Sequence, residues 1–124
     1  MEQLAVEIVG LCREYGECRV EVERMEEVRR VKNALESVCV VARRKLDISD
    51  PALLLALLDA YEVTRDEGML QEVLDVVGRN LDRLAVSAES VKLLACCYYY
   101  VEEEECVERA GRMLEELRKM GRGE

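Results

Sequence analysis

The sequence predicts an all-α protein of six helices arranged as three antiparallel hairpins. Apolar residues recur every three or four positions along most of the chain, which is the helical period. The 124 residues include a single Pro, and only Cys18 to Val22 and Val38 to Val41 offer short candidates for strands. Half of the residues are apolar, so a single domain over residues 1–124 is expected to bury a core without a metal.

The first hairpin, residues 1–48, is predicted to hold two helices of unequal length. The first runs from about Glu2 to Tyr15, and Gly16 is expected to end it because glycine favours the helix C-terminus. The second runs from about Val20 to Leu46 and carries one apolar stripe opposite a charged face. Its length leaves open whether it is continuous or bends near Asn33.

The second hairpin, residues 50–84, begins at the clearest helix start in the chain, Ser49-Asp50-Pro51. Asp or Ser there can cap a helix whose first position suits Pro. This third helix reaches about Thr64 and is apolar on most sides, so it is predicted to be the centre of the core. After a turn over residues 65–68, an amphipathic fourth helix extends to about Leu84.

The third hairpin, residues 87–120, is predicted to start with Ser87 as the cap of a fifth helix that reaches about Val101. The run from Glu102 to Glu105 marks the turn. A sixth, amphipathic helix follows from about Cys106 and leads into a Gly-rich tail.

A shift of about 37 residues places core positions of the second hairpin on those of the third, as stacked repeats require. The matched pairs are Leu54 with Val91, Leu57 with Leu94, Ala60 with Cys97, Tyr61 with Tyr98, Leu70 with Val107, Val73 with Ala110 and Val77 with Leu114. The predicted core therefore includes Leu54, Leu57, Tyr61, Leu74, Leu94, Tyr98 and Leu114.

On these residues, residues 50–118 resemble the tetratricopeptide repeat family. The pattern of a large residue, a Leu, a small residue and a Tyr is followed by three packing positions on the next helix, with departures at Leu58 and Gly111 and no closing Pro. The resemblance implies a right-handed stack of hairpins that binds another protein. Periodicity alone fits a plain six-helix bundle equally well.

Composition argues against an enzyme, because the chain has no His, the side chain most used for acid-base catalysis near neutral pH. It also lacks a glycine-rich phosphate loop and a Gly-x-Ser-x-Gly elbow. Consecutive side chains from Glu102 to Glu105 point in different directions and are not expected to converge on a cation. We therefore expect no catalytic residue, no metal and no cofactor.

The six cysteines lack the Cys-x-x-Cys spacing of a zinc site, and most are expected to be small buried hydrophobes, as at Cys39. Two pairs flank expected turns, Cys12 with Cys18 and Cys97 with Cys106, and we predict disulfides there as an alternative. A thiol redox or metal-binding protein is a further functional alternative.

The fifth helix carries the predicted protein-binding surface. Three consecutive tyrosines from Tyr98 to Tyr100 cannot all face one neighbour, so at least one is expected at the surface, where Tyr favours interfaces. The predicted contact residues are Lys92, Cys96, Tyr99 and Tyr100. The leading functional prediction is a protein-interaction or scaffold module, with self-association as a homodimer the commonest way to cover such a surface.

The net charge of -9 disfavours nucleic acid and favours a basic partner. The acidic excess lies after residue 48, however, so the second helix could still approach an anion. The alternative function is a small helical accessory subunit of a nucleoprotein complex that contacts RNA or DNA through Arg29, Arg30, Lys32, Arg43 and Arg44. Glutamates interleave with these cations, so ion pairs are the ordinary explanation.

The remaining predictions concern the cellular setting. Arg outnumbers Lys 14 to 4, and Gln and Asn occur twice each, a composition typical of hyperthermophiles and here archaeal-like. No long apolar run is free of charge, and the N-terminus lacks the pattern of a secretory signal. We therefore expect a soluble, cytoplasmic protein without a membrane partner.

Overall fold

The computed structural model describes residues 2–18 and 25–121, which form six α-helices. The helices are α1 (Glu2–Cys18), α2 (Met25–Arg43), α3 (Pro51–Thr64), α4 (Glu67–Arg79), α5 (Ala88–Val101) and α6 (Glu104–Gly121). The all-α class and the six helices are confirmed, and no strand occurs within the described ranges. The strand candidate at Val38 to Val41 is helical, whereas the candidate after Cys18 lies outside the described residues.

The helices pack in chain order. The two helices of each pair, α1 with α2, α3 with α4 and α5 with α6, are in contact. The first helix of each pair also packs against the first helix of the next pair, so that α1, α3 and α5 form one layer. In addition, α2 lies against α3, and α4 lies against α5. As a result α3 packs against α1, α2, α4 and α5, and it is the centre of the fold.

The composition of α3 explains this central position. Its apolar residues surround the helix almost completely, so its burial requires neighbours on several sides. Its buried residues are Leu53, Leu54, Ala56, Leu57, Leu58, Ala60 and Tyr61. The prediction that this helix forms the middle of the core is confirmed.

The first helices of the second and third pairs begin with the same side-chain capping bond. Asp50 Oδ1 accepts a hydrogen bond from the backbone amide of Leu53 at 3.2 Å. Ser87 Oγ accepts one from the amide of Ser90 at 3.1 Å. Asp50 and Ser87 stand 37 residues apart, and each satisfies an amide that the first helical turn would otherwise leave unpaired.

These two helices also end in the same way. Arg65 and Glu102, again 37 residues apart, both adopt the left-handed conformation, with φ of 55° and 52°. Their amides donate to the carbonyls of Tyr61 at 2.8 Å and Tyr98 at 2.7 Å, which closes the last turn. The repeat seen in the sequence is therefore present in the backbone of the two hairpins.

Several predicted helix ends are wrong. The helix α1 continues through Gly16 to Cys18, since an exposed glycine with open space around it is tolerated inside a helix. The helix α2 ends at Arg43 rather than Leu46, and it runs without a break through Asn33. Its predicted start at Val20 lies outside the described residues.

The second and third hairpins also differ from prediction at their second helices. The helix α4 ends at Arg79, and the chain to Leu84 is completed by a 3-10 turn over Leu81–Arg83. The helix α6 starts at Glu104, so Glu104 and Glu105 form its first turn, where negative charge is favourable.

Two predicted core residues are exposed. Tyr98 and Leu114 retain 37% and 50% of their surface, whereas Leu54, Leu57 and Leu94 are fully buried. Tyr61 is buried as well, and Leu74 is half-buried. Both wrong predictions lie in the last hairpin, on a side where no further described helix packs.

Among the described helices, none combines the length and apolar character needed to cross a membrane.

Candidate functional site

An open groove of about 450 Å³ lies across the layer formed by α1, α3 and α5. Val6, Val9 and Gly10 of α1 form one wall, and Leu55 and Ala56 of α3 contribute apolar surface opposite them. Charged residues stand at its margins, and these are Arg13, Asp59 and Glu89. The groove is therefore apolar inside and predominantly acidic at its edge.

The helix α1 carries apolar residues that do not pack into the core, and these residues line the groove. Ala5 and Ile8 point inward and are buried, whereas Val6 is 70% exposed and Val9 is 36% exposed. Apolar side chains exposed next to each other in a concave surface are typical of a binding site. This surface was not among the predicted sites, although Val6 and Val9 lie off the buried stripe of α1 and so provide a signal for it in the sequence.

Asp59 is the unusual polar group of the groove. The residue is exposed, and its carboxylate has no hydrogen bond or ion pair to any described residue. Partial burial raises the pKa of Asp59, and the negative charge of Glu62 raises it further. A cation arriving from outside the chain would favour the charged form of Asp59.

Two of the predicted contact residues lie on the side of α5 that also carries Glu89, which lines the groove. Cys96 is half-buried, and its pKa is raised first by burial and then by the negative charge of Asp59. Tyr100 is half-buried and donates a hydrogen bond from its hydroxyl to Glu62 Oε1 at 2.5 Å. With Glu89, these residues lie within about 40° on α5 at the helical period, so they share one side of the helix.

The other two predicted contact residues are exposed. Lys92 is exposed on α5, and Tyr99 keeps 76% of its surface accessible. The rings of Tyr99 and Tyr100 meet edge to face with their centroids 5.1 Å apart. Tyr100 in turn meets Tyr61 edge to face at 5.6 Å. The ring of Tyr100, which is held by Tyr61, therefore packs against the exposed ring of Tyr99 at the C-terminal end of α5.

The arginine surface predicted for nucleic acid is incomplete. Arg43 is held by α4: its Nε and Nη2 donate to the two carboxylate oxygens of Glu72 at 2.9 and 2.7 Å, and its Nη1 donates to Asp66 at 2.9 Å. These bonds raise the pKa of Arg43 and lower that of Glu72. Arg43 ties α2 to α4, so two carboxylates already occupy its guanidinium, and its contact with a phosphate stays a prediction.

The other cations of this predicted surface have no shared focus. Arg29, Arg30 and Arg44 are exposed, and Lys32 is half-buried. Arg29 and Arg30 border a shallow depression together with Glu26. The carboxylate beside them lowers the positive potential that a phosphate backbone requires.

The helical path of α1 rules out a disulfide between Cys12 and Cys18. Six residues along a continuous helix advance about 9 Å, more than the roughly 7 Å that a disulfide allows between two Cα atoms. This predicted pairing was wrong because Gly16 does not end the helix. Cys97 and Cys106 are buried thiols close enough to interact electrostatically, and their pairing stays a prediction.

Burial suppresses the reactivity of the thiols. The pKa of Cys97 is raised to about 12, and those of Cys12 and Cys39 to about 11, chiefly by desolvation. Within residues 2–18 and 25–121, no three Cys, Asp or Glu side chains are grouped to hold a metal ion. Cys39 and Cys106 are buried like small apolar residues.

A second, polar cleft of about 490 Å³ lies between the 3-10 turn and α6. Four arginines line it together with Asp82, Glu105 and Glu108, so opposite charges nearly balance. Arg109 donates to the carbonyls of Leu81 and Leu84, both at 3.2 Å. This arginine closes the end of the turn, and the cleft fits a structural role.

Comparison of the chain with protein families, with curated proteins and with solved structures found no match.

Proposed function

We propose that this chain is a protein-binding module, built of tetratricopeptide-repeat-like hairpins and without catalytic activity, that acts in the cytoplasm. Its partner is a segment of another protein held in the groove across α1, α3 and α5. The observation that carries this proposal is the open apolar groove in which Val6 and Val9 are exposed beside the unpaired carboxylate of Asp59. The packing of each first helix on the next supports a stack of hairpins.

The charges favour a partner segment that combines apolar and basic side chains. Asp59 and Glu89 border the groove and Glu62 lies beside it, whereas Arg13 is the one cation among the groove-lining residues that the structure describes. An apolar side chain of the partner would remove Val6 and Val9 from water. A Lys or Arg of the partner would pair with Asp59, which forms no ion pair with any residue in the described ranges. The net charge of -9 would speed the approach of such a segment.

Selection from a random-peptide library tests this proposal. We expect wild-type protein to enrich peptides in which Lys or Arg flanks aliphatic residues. The blocking variant is Gly10→Gln, because Gly10 lies in the groove wall and has open space where a side chain would project. The matched control is Gly78→Gln in α4, which makes the same change of residue within a helix, also in open space, away from the groove.

Gly10→Gln is expected to weaken binding of the selected peptides at least about tenfold, and Gly78→Gln to leave it unchanged. Both variants should keep their stability, since replacing an exposed glycine in a helix stabilises it by about 0.5–1 kcal/mol. Asp59→Asn is expected to weaken the basic peptides selectively. Equal affinity of the Gly10→Gln variant and the wild type would show that the groove is not the binding site.

A further inference from the structure

The last hairpin exposes apolar side chains at the positions that the middle hairpin buries. The exposed fractions are 37%, 51% and 50% for Tyr98, Val107 and Leu114, against 7%, 9% and 1% for their repeat partners Tyr61, Leu70 and Val77. We call the set Tyr98, Val107 and Leu114 the end face.

The middle hairpin is covered by α5. The ring of Tyr61 meets that of Tyr100, and Val77 lines a cleft with Cys97 and Val101. No described helix packs in the corresponding way on α5 and α6. The end face therefore has the character of a helix-packing surface that lacks its helix, rather than of scattered exposed residues.

The charges of α6 indicate what covers this face. Its first turn is acidic and its last turn is basic, and Glu104 and Arg118, seven residues before and after Gly111, share the side of the helix that carries Gly111. The apolar stripe between them is centred near Gly111, where a side chain would meet nothing within 4 Å. Two copies of α6 packed antiparallel would place each acidic turn beside a basic turn, with the small residue at the close approach.

We propose that the end face binds the end face of a second copy of this chain, through two antiparallel α6 helices related by a two-fold axis near Gly111. The interface is self-complementary, as a two-fold dimer requires. This inference goes beyond the proposed function, because α6 contributes no residue to the groove across α1, α3 and α5. Each copy would keep its groove open.

Sedimentation equilibrium over a range of concentrations, with a reductant present, tests the dimer. The mass is expected to rise from 14.2 kDa toward twice that value. Leu114→Glu is expected to weaken the dimer at least about tenfold, because it places a charge at the centre of an apolar contact. Gly111→Gln is a second variant with the same expected effect, and the open space around Gly111 lets the monomer fold.

Val40→Glu is the matched control, because Val40 is as exposed as Leu114 but lies on α2. It is expected to leave the dissociation constant unchanged. A monomer at every concentration would overturn the proposal, and so would a dimer that Leu114→Glu does not weaken. Circular dichroism establishes that each variant is folded.

Charge exchange between copies tests the antiparallel arrangement. The Glu104→Lys variant is basic at both ends of this side of α6, and the Arg118→Glu variant is acidic at both ends. Each alone is expected to form a weaker homodimer, and an equimolar mixture is expected to form heterodimers near wild-type affinity. A mixture that gains no heterodimer would overturn the arrangement.

Discussion

Replacement of Glu102 by Gly is expected to stabilise the protein by about 1 kcal/mol through the backbone alone. Glu102 ends α5 at φ 52° and ψ 31°. In this conformation a residue with a Cβ atom is less stable than glycine by about 1–2 kcal/mol. Glycine is more flexible in the unfolded chain, and this entropy offsets about 0.5–1 kcal/mol of that gain. Its carboxylate also stands at the negative end of the helix dipole, and removing it adds about 0.3 kcal/mol.

The control is Glu102→Ala, which removes the charge but keeps the Cβ atom. We expect a gain of only about 0.3 kcal/mol from it. Arg65→Gly offers a comparison at the repeat-related position, where φ is 55°. Arg65 pairs with Glu62 at 3.6 Å and lies over the ring of Tyr61, so its loss offsets part of the strain relief.

Urea unfolding followed by circular dichroism measures these differences, and the melting temperature should rise by about 4 °C for each kcal/mol. If Glu102→Ala stabilises as much as Glu102→Gly, the charge rather than the left-handed backbone is the cause, and the reasoning fails.

Three further predictions concern the core, the thiols and acid stability. Leu57→Ala, at a fully buried site in α3, is expected to lower the free energy of urea unfolding by about 3–4 kcal/mol, against about 1 kcal/mol for Leu55→Ala in the groove; equal losses would contradict the assigned burial. At neutral pH native Cys97 is expected to hold about a thousandfold less thiolate than an ordinary thiol, because its pKa rises from 9.0 to about 12; alkylation followed by mass spectrometry should label it only on unfolding. Glu72 has a lowered pKa in the folded state, so its contribution to the free energy of unfolding is present above the ordinary carboxyl pKa of 4.5 and is lost as pH falls through the folded-state pKa. The difference in stability between wild type and Arg43→Gln is expected to be at most about 1 kcal/mol for this half-exposed pair, and to shrink below the folded-state pKa of Glu72 in urea titrations. A difference that does not change with pH would show that the bond is absent.

Helix starts could be predicted from the sequence because they depend on local chemistry. Asp50 and Ser87 cap their helices through bonds to amides three residues away, and such bonds are visible in the spacing of residue types. The end of α1 was predicted wrongly at Gly16, because the preference of glycine for a helix end is only a weak local effect. Packing of α1 against α2 and α3 overrides it.

Exposure at the end of the stack could not be predicted from local pattern. Tyr61 and Tyr98 occupy the same repeat position, but only Tyr61 is covered by a following helix within the described residues. The groove was missed because its residues come from distant parts of the chain, so that Val6 and Asp59 meet only in the folded protein. The ion pairs of Arg43 could not be predicted for the same reason, since Asp66 and Glu72 are remote from it in sequence.

The equal spacing of the caps shows where the similarity between the two hairpins resides. Asp50 and Ser87 perform one task with different chemistry, and so do Arg65 and Glu102. The two hairpins therefore share starts, stops and a backbone path while most of their side chains differ. Backbone geometry therefore constrains such a unit more than residue identity does. The middle hairpin can then line a groove while the last hairpin presents apolar side chains outward, and the path of the backbone stays the same in both.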